Sequence, residues 1–172
     1  MSIAADDIPL HAQGGYNVVV ETPRGSRTKF AYDPETGLFR ARKLLAPGLA
    51  FPFAFGFFPS TCGEDGGPLD VMLLTGADLL MGTLVRCRLL GGVAIEQSDE
   101  KGTLRNDRLL AVPLLRHQDR PPHRMSDLPR EELQDLENFL VAYQAADGTA
   151  AKVIGRLDKT QAEAVIAAAR RE

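Results

Sequence analysis

Phe51-Pro52-Phe53-Ala54-Phe55-Gly56-Phe57-Phe58-Pro59, followed closely by Glu64-Asp65-Gly66-Gly67-Pro68-Leu69-Asp70-Val71, is the stretch on which the fold turns. The phenylalanines, punctuated by Pro52, Gly56 and Pro59, read as the packing of a barrel loop rather than as a base-stacking platform for single strands. The acidic Gly-Gly-Pro turn after them feeds an apolar strand over 69–74. Upstream, the β-branched run 17–22, the turn 23–26 and the extended piece 28–32 predict a hairpin. A turn at 33–37 then leads into a strand over 38–45 that mixes apolar and basic residues. Downstream, short strands are expected at 83–89, 93–96 and 108–114. Many short strands with regular punctuation predict a closed or sandwiched β structure rather than a parallel α/β sheet.

The period changes at 130–145, where Leu133, Leu136, Phe139, Leu140 and Tyr143 form one stripe at helical spacing. Ser126-Asp127-Leu128-Pro129 supplies start signals and Asp147-Gly148 a stop. A strand over 151–155 follows, then Thr160-Gln161-Ala162-Glu163, a capping-box pattern before an Ala-rich helix ending near Arg171. The expected fold is α+β, an OB-like five-stranded closed β-barrel with helices packed against it. It would form one domain over residues 1–172, since a chain this long hides roughly 70% of its unfolded surface.

Composition narrows the function. The net charge is −3 and the pI about 5.7, which opposes the basic face that nucleic-acid binding requires. Cys62 and Cys87 have no metal spacing and read as free thiols of a reducing compartment. The opening MSIAADDIPLHAQ lacks the basic and apolar regions of a signal peptide, and no apolar stretch approaches a membrane span. The expected location is the cytoplasm, with neither nucleic acid nor membrane as partner. His11, His117 and His123 have no mutual metal spacing and read as surface histidines.

Asp65 and Asp70 flank the Gly-Gly-Pro turn, which lets two carboxylates converge. Such a pair is costly to ionise without a cation between, and hard oxygen ligands suit Mg²⁺. The plain alternative is a solvated loop. Glu21, Arg24, Arg27 and Lys29 lie around the first hairpin, and Arg40, Arg42 and Lys43 on the next strand. Arg105 and Arg108 flank Asn106-Asp107. Alternation along a strand turns Lys43 to the same side as Leu45. Pre-placed cations of this kind suit a phosphate.

The order of these pieces resembles the family I soluble inorganic pyrophosphatases. The resemblance rests on Val18-Val19-Val20-Glu21-Thr22-Pro23-Arg24-Gly25-Ser26-Arg27-Thr28-Lys29, the Phe-Pro-x-x-Phe-Gly-Phe run and the acidic motif ending at Asp70-Val71. It continues through Arg108-Leu109-Leu110-Ala111-Val112-Pro113 and the helix reaching Tyr143. The resemblance implies the OB-like barrel, pyrophosphate as substrate, Mg²⁺ as cofactor and a homo-oligomer. It places Asp65 and Asp70 at metal-binding positions, and Glu21, Lys29 and Tyr143 at active-site positions. Lys43 and Arg108 stand where the family has Arg and Lys. Asp99 is the best match to the next metal acid, with Glu96 and Asp107 as alternatives; Asp107 also stands one residue from a further family aspartate.

The departures fall in the motif itself. Gly67 replaces the middle aspartate, Ala31 a glutamate, Phe55 a tyrosine, Asn106 an aspartate and Gln144 a lysine. Phe55, Asn106 and Arg108 resemble features of a divergent bacterial branch, whereas Gly67 departs even from that branch. A missing carboxylate predicts weaker metal binding and reduced turnover. The rival expectations are a non-catalytic phosphate-binding paralogue, a hydrolase of a larger diphosphate and an OB-like nucleic-acid module.

Overall fold

The computed structural model describes residues 4–171. Its strands are β1 (His11–Ala12), β2 (Gly15–Thr22), β3 (Thr28–Asp33), β4 (Leu38–Leu44), β5 (Ala54–Phe58), β6 (Leu69–Leu73), β7 (Leu84–Asp99), β8 (Gly102–Arg105), β9 (Arg108–Pro113) and β10 (Ala150–Leu157). The helices are α1 (Arg130–Ala145) and α2 (Lys159–Ala169).

Five strands close into a ring. β2 lies antiparallel to β5 (Val19 opposite Phe57) and β5 antiparallel to β6 (Gly56 opposite Val71). β6 runs parallel to β9 (Met72 opposite Leu110), and β9 antiparallel to β7 (Val112 opposite Arg88). β7 returns to β2, with Val85 opposite Val18. Closure gives each ring strand a neighbour on both sides, which removes the exposed edges that invite aggregation. Gly56 makes one contact of the ring possible, since a Cβ there would sit 2.2 Å from the Val19 carbonyl oxygen.

The central ring strands β5, β6 and β9 are apolar on both faces, and alternation sorts their side chains between two cores. Val71, Leu73, Leu109 and Ala111 point to one, joined by Val18, Val20, Val85 and Leu89 and closed by Ala162 and Ile166 of α2. Met72, Leu110 and Val112 point to the other, which packs Phe51, Phe55, Val93 and Ile95 against Leu133, Leu136, Phe139, Leu140 and Tyr143 of α1.

β7 serves both the ring and an outer ladder. Its register shifts between Leu89 and Gly91, a bulge that re-aims the strand. Gly91 has φ +156°, and a Cβ there would lie 2.3 Å from the Leu157 carbonyl oxygen and 2.5 Å from the Met125 side chain. Beyond the bulge β7 carries β10 (Ile95 opposite Val153) and, at its far end, β8 (Ser98 opposite Thr103).

The α+β class and the five-stranded OB-like ring agree with the sequence reading, while four local expectations are corrected. Residues 17–32 do not form a hairpin ladder: both edges of β2 are taken within the ring, so β3 leaves and pairs with β4 in a separate two-stranded sheet. Side chains tie β3 back instead. Thr22 Oγ1 accepts the Phe30 N–H at 3.0 Å and donates to the Phe30 carbonyl at 3.0 Å. The phenylalanine run contains a wholly buried strand, β5, rather than a loop. Residues 83–89 and 93–96 belong to one strand, because Gly91-Gly92 bulges without breaking it. The second helix starts at Lys159, capped by Asp158: its carboxylate accepts the Gln161 N–H at 2.8 Å while Gln161 Oε1 accepts the Asp158 N–H at 2.9 Å.

Candidate active site

The cationic side of the site is built by the β3–β4 pair. Lys29 and Lys43 lie directly opposite each other in that ladder. Cross-strand partners share a face, and like charges so placed repel. Each lysine has an aromatic floor and one carboxylate. Lys29 Nζ stands 3.8 Å from the Phe55 ring centroid and 3.3 Å from Glu21 Oε2. Lys43 Nζ stands 3.6 Å from the Tyr143 ring centroid and pairs with Asp147. The floors are joined, since Phe51 touches Phe55 at 5.7 Å and Tyr143 at 5.5 Å between ring centroids.

Arg108 adds a third cation at the start of β9. Its guanidinium carbon is 5.8 Å from the Phe55 centroid and its Nη1 is 3.0 Å from Asp70 Oδ2. The same nitrogen donates to the Asn106 side chain. Arg108 is only 4% exposed and its buried Nε has no hydrogen-bond partner. A guanidinium this deep with an unused donor departs from the rule that buried charge is fully paired.

Burial sets the electrostatics. It pushes the Glu21 carboxyl upward, opposed by Lys29 and by the Tyr32 N–H that Glu21 Oε1 accepts at 2.8 Å, while Asp70 adds to the rise. It draws the Lys29 amine below the usual lysine range, with Glu21 and Asp70 pulling back and Arg108 adding to the fall. It also raises the Tyr143 hydroxyl well above its ordinary value, opposed by Arg108. The cross-influence of Glu21, Lys29, Asp70, Arg108 and Tyr143 marks them as one electrostatic unit.

The acidic side opens into a cavity of about 470 Å³ lined by Cys62, Asp65, Asp70, Asn106 and Asp107 and walled by Val165 and Ala168 of α2. Asp70 faces both sides, lining the cavity and holding Arg108, which lies behind it. Gly66, with φ +82°, turns the loop so that Asp65 Oδ1 accepts the Gly67 N–H at 3.1 Å. Asp107 Oδ1 accepts from Arg105 Nε at 2.5 Å and from the Ile95 N–H at 3.2 Å. A larger cavity of about 1060 Å³ lies elsewhere, between Phe53 and the 115–129 segment; its lining carries Arg24, Arg116 and Arg120 alongside Asp119, Asp127 and Glu132.

The structure thus brings Glu21, Lys29, Lys43, Arg108, Tyr143 and Asp70 together, with Asp65 and Asp107 on the cavity side. It does not bring Asp99 to them. That residue sits exposed at the tip of the β7–β8 hairpin, where its carboxylate accepts the Lys101 N–H at 2.7 Å. Glu96 is exposed opposite Arg105 on the same hairpin. Pairing of β8 with the end of β7 holds Asp99 at this tip. Sequence reasoning missed Asp147, 104 residues from Lys43, and the role of Phe55 as a cation floor.

Whether the donors suit a resident metal follows from these partners. Among the described residues no group of three or more His, Cys, Asp or Glu is placed to hold an ion. Asp70 is ion-paired with Arg108 through one oxygen, Asp107 is ion-paired with Arg105 and accepts a backbone N–H, and Gly67 contributes no carboxylate. The residues present do not fit a resident multi-metal cluster.

A closed five-stranded ring with a cation-rich cleft beside an acidic loop places the protein among small OB-like barrels with anion sites. The chain belongs to the inorganic pyrophosphatase family, whose pattern matches residues 18–172. It is 35% identical over 155 residues to an inorganic pyrophosphatase of Streptomyces coelicolor, covering 88% of this chain and 91% of that one. It is also 35% identical to a soluble inorganic pyrophosphatase of rice, covering 74% of this chain but only 62% of the rice protein's length. The crystal structure of inorganic pyrophosphatase from Thermus thermophilus superposes with a TM-score of 0.87 at 28% identity, over 97% of both chains. The family carries a general requirement for a divalent metal. No helix among the described residues is long and apolar enough to cross a membrane.

Proposed function

We propose that the protein, folded as one domain over residues 1–172, hydrolyses inorganic pyrophosphate to two orthophosphates. The observation that carries this is the cross-strand pair Lys29–Lys43 with Arg108 nearby: three cations over the joined Phe55 and Tyr143 rings, gathered where an oligo-anion could bridge them. Membership of the family supports the same reading. Because the carboxylates do not fit a resident cluster, Mg²⁺ is assigned to the substrate, which enters as magnesium pyrophosphate. Magnesium in such sites is held by one or two carboxylates plus phosphate oxygens, a role open to Asp65 and Asp70.

Binding by Lys29, Lys43 and Arg108 neutralises charge on both phosphoryl groups and fixes the bridging oxygen. A water oxygen attacks one phosphorus, the bridging P–O bond breaks, and the leaving phosphate receives a proton from that water: P₂O₇⁴⁻ + H₂O gives two HPO₄²⁻. The Tyr143 hydroxyl, held protonated by burial, is a donor to a phosphate oxygen. With Gly67 in place of an acid, proton removal falls to the flanking carboxylates, and turnover is expected about 10²–10⁴-fold below that of family members with the full set. The remaining assignments are the cytoplasm as location and a homo-oligomer as the assembled state.

Steady-state phosphate release from pyrophosphate, with Mg²⁺ or Mn²⁺, tests the reading, and Gly67→Asp is the informative variant. A Cβ at Gly67 meets only Asp65 Oδ1, at 3.6 Å, so the new carboxylate has room. Turnover should rise by at least about tenfold; no gain would sink the role given to position 67. The second reading is phosphate binding without turnover on the same scaffold, favoured by the lack of a convergent acid set among the described residues. Binding without phosphate release, in wild type and Gly67→Asp alike, would establish it. A panel of larger phosphoanhydrides tests whether the open space at Gly67 admits them.

A further inference from the structure

We infer that the cleft takes its phosphate anion by exchange with the protein's own carboxylates, needing no metal ion for that step: incoming phosphate oxygens displace Asp147 from Lys43 and Asp70 from Arg108. This deepens the reading above and rests on its assignment of the cations as the phosphate seat.

Three observations carry it. Lys43 and Arg108 are each held by one carboxylate from a distant part of the chain, Asp147 from the α1–β10 turn and Asp70 from β6. Asp147 is half exposed and sits on the irregular turn before Gly148, so its release costs little packing. Arg108 is more than nine-tenths buried with Nε unpartnered, so its donors exceed the acceptors around it. A carboxylate satisfies one edge of a cation; a tetrahedral oxyanion offers more oxygens and the higher charge. The guanidinium thus does at Asp70 what a bound metal ion would do, neutralising the acid until substrate arrives.

The sign of a carboxamide substitution separates exchange from a metal bridge. Removing a competing anion tightens phosphate binding, whereas removing a metal ligand weakens it. Orthophosphate and imidodiphosphate would be titrated calorimetrically into the full chain in excess EDTA, for wild type, Asp147→Asn, Asp70→Asn and Lys43→Gln. Exchange predicts measurable binding without metal, tightened roughly 3–10-fold by each Asp→Asn change and weakened by Lys43→Gln. Absence of binding in EDTA with recovery in Mg²⁺ would overturn it, as would an Asp147→Asn protein binding no tighter than wild type. Asp147 lies outside both cores, so that variant reads the exchange even if Asp70→Asn fails to fold. Phosphate release from magnesium pyrophosphate, measured on the same proteins, reports separately on hydrolysis: a protein that binds by exchange but turns nothing over keeps this inference and loses the other.

Discussion

Lys29 is buried enough that its charge is conditional. Its amine is drawn below the lysine range, so the charged form persists below that lowered pKa and is lost as pH rises through it. Orthophosphate affinity should therefore fall on the alkaline side earlier than an ordinary lysine allows. Arginine stays charged throughout. Lys29→Arg should flatten the alkaline limb below the ordinary lysine range, read by binding titrations at stepped pH; an unchanged limb would assign it to another group. Phe55 explains why such a lysine is tolerated, since its ring faces both Lys29 and Arg108. A tyrosine here would bring a hydroxyl into a site that Phe55, 1% exposed, keeps free of further dipoles. At this scale the resemblance fixed the order of the charged residues that meet in the cleft but not the place of Asp99, which the β7–β8 hairpin holds apart. The partners of those charges were not legible. Asp147 reaches Lys43 only because the turn after α1 comes to the edge of β4, which no local spacing encodes.

Secondary elements with a single periodic face were read well. α1 has the expected bounds because its stripe from Leu133 to Tyr143 faces one core, with Glu137 buried beside it by its pair to Arg156 and most remaining positions exposed. β5 was not legible, since a strand buried on both faces lacks alternation and its flanking prolines suggest a loop. The β2–β3 connection misled for a different reason: adjacency in sequence predicts a ladder, but ring closure had already used both edges of β2. At α2 the capping pattern occurs twice in overlapping registers, and Asp158 rather than Thr160 takes it. Asp158→Ala should lower stability by about 1 kcal/mol, visible as a lower melting temperature, whereas Thr160→Ala should leave the cap bonds intact. Equal losses from both would contradict the observed cap. The hairpin β7–β8 had no sequence signal beyond an overlong loop, yet it decides which acids stay near the cavity.

Across the whole molecule, one aromatic cluster couples the second core to the cleft. Phe51 is 1% exposed and touches Phe55, Phe139 and Tyr143 at 5.7, 5.3 and 5.5 Å between centroids. Phe51→Ala should cost about 3–5 kcal/mol in denaturant unfolding and loosen orthophosphate binding as well, because both lysine floors lean on this ring. A loss of stability with anion affinity intact would show that core and cleft are separable. The parallel pairing of β6 with β9 has, finally, a consequence in time. Synthesis proceeds from residue 1, and β6 waits for a partner that begins only at Arg108, with β7 made in between. Until about two thirds of the 172 residues have left the ribosome, β6 and β7 each present a bare edge to other chains. A message truncated before residue 108 would encode an aggregating sheet rather than a smaller barrel.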